Sequence, residues 1–186
     1  MSRPGGVLVT GFGPFLSVTD NPAAQLARAM HEPEGDPPIH GLVIPVSYLR
    51  GPQEAVQAAR RLGVRMVIGL GVATGRDHVC VERVGRLGLD PTAPDVDQDH
   101  RERVDDDAGA PELVRASLPV ELFAQAMGAR LSDDAGTYVC NAWLYHVARA
   151  LPDLPVGFVH VPAAGMEPDR LRAGIAALLA QAALVG

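Results

Sequence analysis

In "SDDAGTYVCNAWLYHVARAL", residues 132–151, Cys140 is followed by a polar Asn141 and then an apolar run. Gly136 and Thr137 mark a helix start, which puts the thiol in the first helical turn. There the helix dipole and unpaired N–H groups favour thiolate over thiol. A cysteine nucleophile needs a base, and the base needs an orienting group. His160 stands in "GFVHVP", near the carboxyl end of an apolar strand, where catalytic groups collect in α/β sheets. Glu82 stands in "VERV", on an alternating strand that points it the same way as Cys80 and Val84. A carboxylate on such a face is costly unless it is paired. Each residue also has an ordinary reading: a buried structural Cys, a core His, a Glu paired to an Arg or facing solvent. His31, His40, His78, His100 and His146 form no metal-ligand spacing with Cys or another His, so no metal is expected.

Two Gly-rich turns leave strand ends. "TGFGPF" (10–15) sets Phe12 and Phe15 three residues apart in a chain with four Phe. Two rings on a loop either clamp a small flat ligand or plug the edge of the core. "GLGVATG" (69–75) invites a dinucleotide reading, but Thr74 stands where the third glycine belongs, and a strand-like stretch follows instead of a helix. A plain turn at a strand end is the commoner reading.

The elements that must position these residues follow from periodicity. Strands are expected over 6–12, 39–47, 64–71, 78–85 and 156–162. Helices are expected over 21–30, 51–63, 119–131, the stretch from Thr137, and 167–184. Asn21 before Pro22 reads as an N-cap with proline at the first helical position, and Gly63 as a helix end. Strand–helix alternation predicts an α/β sandwich with a mostly parallel sheet, and the alternating 78–85 strand makes part of it antiparallel. Residues 86–111 carry many charges and little apolar period, as a lid or a mobile loop would.

The chain has 186 residues, 47% of them hydrophobic and 20% charged, which fits a single domain over 1–186 with a sizeable core. A net charge of −6 argues against a nucleic-acid footprint, and no polybasic membrane patch occurs. Two cysteines are too few for a disulfide framework. The apolar run at the N-terminus is too short for a signal peptide, and the C-terminal one is too short for a membrane span. A cytoplasmic protein with reduced thiols is expected.

These residues, taken in order, resemble the type I pyroglutamyl peptidases, or pyrrolidone-carboxylate peptidases. The resemblance rests on "VLVTGFGPF…DNP" (7–22), "GLGVATGRDHVCVERV" (69–84), "AGTYVCNAWLYH" (135–146) and "VGFVHVP" (156–162). The third block is the most specific, because family members carry Ala-Gly-Thr, an aromatic, any residue, then Cys-Asn. The resemblance implies a three-layer α/β/α sandwich with a mixed, mostly parallel central sheet. It implies a cysteine omega-peptidase that removes an N-terminal pyroglutamate from peptides, with no cofactor. Cys140 would be the nucleophile, His160 the base and Glu82 the acid that orients it. Phe12 and Phe15 would sandwich the pyroglutamyl ring, with Asn21, Val72 and Tyr138 lining the pocket. A homo-oligomer, tetramer or dimer, is implied as well.

The sequence departs from the family pattern at Val72 (usually Gln), Thr74 (Gly), Cys80 (Ser or Thr), Leu87 (Asn) and Thr92 (Arg). The last removes an arginine from the expected oxyanion surroundings. Two other readings compete: a related cysteine acyl hydrolase of different specificity, and a non-catalytic module binding a nucleotide or small metabolite.

Overall fold

Uncharged runs rich in Val, Leu and Ile become strands buried on both faces, as a sheet between two helical layers requires. A computed structural model describes residues 5–15 and 19–185. Residues 1–4, where the reading of the N-terminus begins, and residues 16–18 and 186 lie outside it.

The elements run β1 (Val7–Phe12), α1 (Pro22–Ala29), β2 (Ile39–Ile44), α2 (Arg50–Leu62), β3 (Met66–Val72), β4 (Cys80–Glu82), β5 (Val84–Arg86), β6 (Leu113–Arg115), α3 (Val120–Met127), β7 (Arg130–Ser132), α4 (Val139–Ala150), β8 (Val156–Val161) and α5 (Pro168–Val185). Six strands form the main sheet in the order β2-β1-β3-β8-β4-β7. The first four are mutually parallel, while β4 runs antiparallel to β8 and β7 parallel to β4.

Helices α2 and α4 cover one face, packing Ala55, Ala58, Trp143 and Leu144 against Leu8, Val67 and Phe158. Helices α1, α3 and α5 cover the other, packing Leu26, Phe123 and Leu171 against Val9, Ile68 and Val159. The expected α/β/α sandwich with a mixed, mostly parallel sheet is the architecture that forms. Asn21 caps α1 by accepting from Ala23 N at 2.9 Å, with Pro22 at the first helical position. Gly63 ends α2 in the left-handed region at φ 59°.

Two expected elements are each divided. The strand over 78–85 breaks at Arg83. Its first half joins the main sheet, and its second half pairs with β6 in a separate two-stranded sheet. Contacts with α4 account for the break. Gly85 lies so close to α4 that a Cβ would be 2.8 Å from Tyr145 N, and the Asn141 side chain grips the Arg86 backbone through both its oxygen and its nitrogen. Val84 therefore leaves the sheet face it was expected to share with Cys80 and Glu82. The helix over 119–131 stops at Met127, because Gly128 turns left-handed at φ 61° and Arg130 N bonds Val79 O. Residues 130–132 then form the edge strand β7.

The helix expected from Thr137 begins at Val139, with Tyr138 at the N-cap. Residues 86–111 hold little regular structure, yet Leu87, Leu89, Val104 and Ala110 join the core on the α4 face.

Candidate active site

Register brings the expected catalytic residues together. On β3 and β8, Gly71 pairs with His160, and on the far side of β8 Cys80 pairs with the same histidine. All three face α4. A Cβ on Gly71 would sit 2.5 Å from Cys140 Sγ and 2.9 Å from Phe158 Cζ. The glycine thus leaves the space that the sulfur occupies. Gly69, one pair deeper, does the same for the rings of Phe158 and Trp143. Cys140 is the second residue of α4, and Tyr138 provides no side-chain cap to the amides of the first turn. Those N–H groups point to the sulfur's end of the cleft.

Glu82 lies one pair below His160, opposite Phe158, and is fully buried. Its Oε1 is 2.8 Å from His160 Nδ1. The same oxygen accepts from Arg76 Nη1 at 2.7 Å, while Arg76 Nη2 donates to Asp134 O at 2.6 Å. With Nδ1 held by Glu82, Nε2 of His160 is the nitrogen left for the sulfur. The Phe158 ring meets the imidazole edge-on at 5.1 Å and fixes its plane.

The electrostatics follow from burial and charge. Burial alone would push the His160 imidazole down. The charge and hydrogen bonding of Cys140, and then those of Glu82, outweigh it and raise the pKa to about 9. Burial pushes the Glu82 carboxyl up. Hydrogen bonds from His160, Ser132 and Arg76, with the His160 charge, hold it below the ordinary carboxylate range.

Two cavities meet at Cys140. One, of about 310 Å³, is lined mainly by apolar groups, among them Phe12, Phe15, Val46, Val72 and Tyr138, with Asn21 and Asp20 at one side. The other, of about 300 Å³, is lined by Thr74, Arg76, Asp134, Gly136 and His160. Phe12 is buried and packs on Phe158, while Phe15 packs on Tyr138 at 6.2 Å. Tyr138 is held in turn by Tyr48, edge-on at 5.4 Å, and donates its hydroxyl to Pro94 O at 2.8 Å.

The Asn21 side chain is committed to Ala23 N and Gly13 O, so one amide hydrogen is what it can still offer the cavity. Leu87 is core. Thr92 is exposed, and its hydroxyl donates to Asp90 at 2.6 Å. Among the described residues no cluster of His, Cys, Asp or Glu is arranged to hold a metal, and both cysteines are free thiols.

Sequence reasoning passed over Arg76, Ser132 and Asn141. A signal for Arg76 existed: a carboxylate on a buried face demands a cation, and Arg76 is an arginine in the turn six residues before it.

A cysteine seated over a strand glycine at a helix N-terminus, beside a buried His–Glu pair in an α/β/α sandwich, defines a cysteine-type peptidase. The sequence model of the pyroglutamyl peptidase family matches residues 6–177, and the chain belongs to that family. It is 37% identical over 175 residues to the pyrrolidone-carboxylate peptidase of Deinococcus radiodurans, covering 84% of this chain and 78% of that one. It is 33% identical over 169 residues to that of Thermococcus litoralis, covering 84% and 76%. The solved structure of the Thermococcus litoralis pyrrolidone carboxyl peptidase superposes with a TM-score of 0.86 at 26% identity, over 98% of this chain and 96% of that chain. The pyroglutamyl peptidase I structure from Bacillus amyloliquefaciens, at 23% identity, shares the fold with a TM-score of 0.83 over 94% and 93%.

Proposed function

We propose that this chain is a pyroglutamyl-peptidase I, one catalytic domain that hydrolyses the bond following an N-terminal pyroglutamate of peptides. The observation that carries the reading is the apolar, aromatic-walled cavity opening onto a sulfur that adjoins the His160–Glu82 pair. Pyroglutamate is a neutral, flat lactam. Phe12, Phe15 and Tyr138 offer ring faces and edges to it. The remaining Asn21 amide hydrogen and main-chain groups at Val72 suit its polar edge. An ordinary N-terminus would bring an ammonium into this wall and lose its hydration without a partner. Free thiols fit the reducing cytoplasm expected of the chain.

In this reading Cys140 and His160 rest as a thiolate–imidazolium pair. The sulfur attacks the pyroglutamyl carbonyl carbon, and the oxyanion forms against amides of the first turn of α4. The C–N bond breaks as His160 Nε2 gives its proton to the departing amine, leaving a thioester. Neutral His160 then takes a proton from water, whose oxygen displaces the sulfur and frees pyroglutamate. Glu82 keeps Nδ1 protonated and stabilises the imidazolium throughout.

The test is hydrolysis of pyroglutamyl, prolyl and glutaminyl arylamides. Cleavage of the first alone, abolished by Cys140→Ala or iodoacetamide, is expected. Activity surviving in Cys140→Ala rules the mechanism out. A preference for the prolyl or glutaminyl substrate moves the chain to a related acyl hydrolase.

A further inference from the structure

Arg76 lines the cavity on the His160 side of Cys140, and its guanidinium is committed to two other partners. One arm meets the buried Glu82 carboxylate at 2.7 Å, and the other meets Asp134 O at 2.6 Å. Asp134 belongs to the segment that ends in Tyr138 and Cys140. We infer that Arg76 is a positioning residue that sets the charge of the catalytic pair and ties the acid to the loop carrying the nucleophile. The inference rests on the roles proposed above for Cys140, His160 and Glu82.

Three features support it. Glu82 is wholly enclosed, so an ionised carboxylate there needs more than one neutral or half-time partner. His160 supplies a positive charge while it holds its proton, and in the proposed cycle it gives that proton away. At that moment Arg76 is the charge that remains, and Glu82 stays a carboxylate instead of taking the Nδ1 proton. Finally, Arg76 is partly buried, so its charge is less screened than that of a surface arginine.

The other groups around this centre are few. Cys80 faces Arg76 from β4, and Ser132 faces Glu82 from β7. Cys140 comes from α4 and His160 from β8. The Asp77–His78 pair lies outside, next in the chain, and Asp133 is held by Arg83. The Asp134 carboxylate accepts from Gly136 N. None of these can replace the arginine's double contact.

The experiment compares wild type with Arg76→Gln, Arg76→Lys and, as a control, Arg83→Gln, which cuts an exposed pair. Two pH profiles are read: the rate of Cys140 alkylation by iodoacetamide, followed by mass of the labelled peptide, and kcat/KM on a pyroglutamyl arylamide. Removing a fixed positive charge raises the pKa of every neighbouring group. Arg76→Gln should therefore move both profiles to higher pH by about one unit. Arg76→Lys should keep their positions, because the charge remains. Its plateau should still fall about 10-fold, since one ammonium cannot span Glu82 and Asp134 O in the same fork. Arg83→Gln should change neither. Wild-type profile positions in Arg76→Gln, or an equal shift in Arg76→Lys, overturn the inference. If Arg76→Gln does not fold, the Arg76→Lys plateau decides, and an unchanged plateau overturns it. Alkylation needs no substrate, so a wild type that ignores pyroglutamyl arylamides would defeat the substrate reading and leave this test standing.

Discussion

Cys140 and Gly71 share one volume between strand and helix, and that sharing makes a prediction at the scale of single residues. Gly71→Ala puts a methyl where the sulfur lies. Overpacking of this kind costs about 1–3 kcal/mol, measurable by urea denaturation. Displacing the thiol by a fraction of an ångström should lower kcat on a pyroglutamyl arylamide about 100-fold. Wild-type kcat in Gly71→Ala would show that the sulfur does not depend on this slot. His160 makes a second prediction. With its pKa raised to about 9, the imidazolium survives through neutral pH and is lost above that value. The rate profile should hold a plateau through neutral pH and fall with a midpoint near 9, and a fall centred near 6.5 would refute the pairing with Cys140 and Glu82.

Among elements, the hinge between β4 and β5 decides the geometry of the acid. Glu82 closes β4, and four residues later the chain is already clamped to α4 by Asn141, which accepts from Arg86 N at 2.7 Å and donates to Arg86 O at 2.8 Å. Asn141→Ala leaves both part-buried backbone groups without these partners. It should cost about 2–4 kcal/mol in urea denaturation, and kcat should fall with it, because Glu82 and Cys140 share the clamp. A loss below about 0.5 kcal/mol would mean that water replaces the side chain.

The same hinge marks the limit of what the sequence makes legible. Apolar runs and cap residues such as Asn21 and Gly63 are local signals, and they place the central strands, α1 and α2 correctly. Cys140, His160 and Glu82 are legible by residue type and position on their elements, and their meeting follows from sheet register. The break at Arg83 is not local. It arises because Gly85 and Arg86 are drawn to a helix more than fifty residues away. Strands β6 and β7 are three residues each, too short for a periodic signal, and they form because β5 and β4 offer edges to pair with. The pairing of Arg76 with Glu82 has a sequence signal, but its second contact is a main-chain oxygen at 134 that no pattern announces.

For the whole molecule, the site's ionisations are linked to stability. His160 has a raised pKa in the folded state, so its contribution is fully present below its ordinary 6.5 and disappears as pH rises through about 9. Glu82 has a lowered pKa, so its contribution is present above its ordinary 4.5 and disappears as pH falls through the lower folded value. Melting temperature should therefore peak between about 4.5 and 6.5 and decline on the alkaline side toward 9. In Cys140→Ala the alkaline decline should shrink, because the sulfur is the largest influence raising the imidazole. An alkaline decline identical in wild type and Cys140→Ala would place the linkage elsewhere in the chain.

The cavity on the His160 side of the sulfur is bordered by exposed residues, Thr74, Gly75, Asp134 and Gly136, and not by an enclosing wall. Under the proposed activity, a substrate commits only its head to the aromatic chamber and trails the remainder along an open ledge. Among the described residues, nothing on that ledge gauges how long the trailing part is. A dipeptide, a hormone-sized peptide and the blocked end of a folded protein would then each lose the same single pyroglutamate, wherever the end is loose enough to reach the thiol.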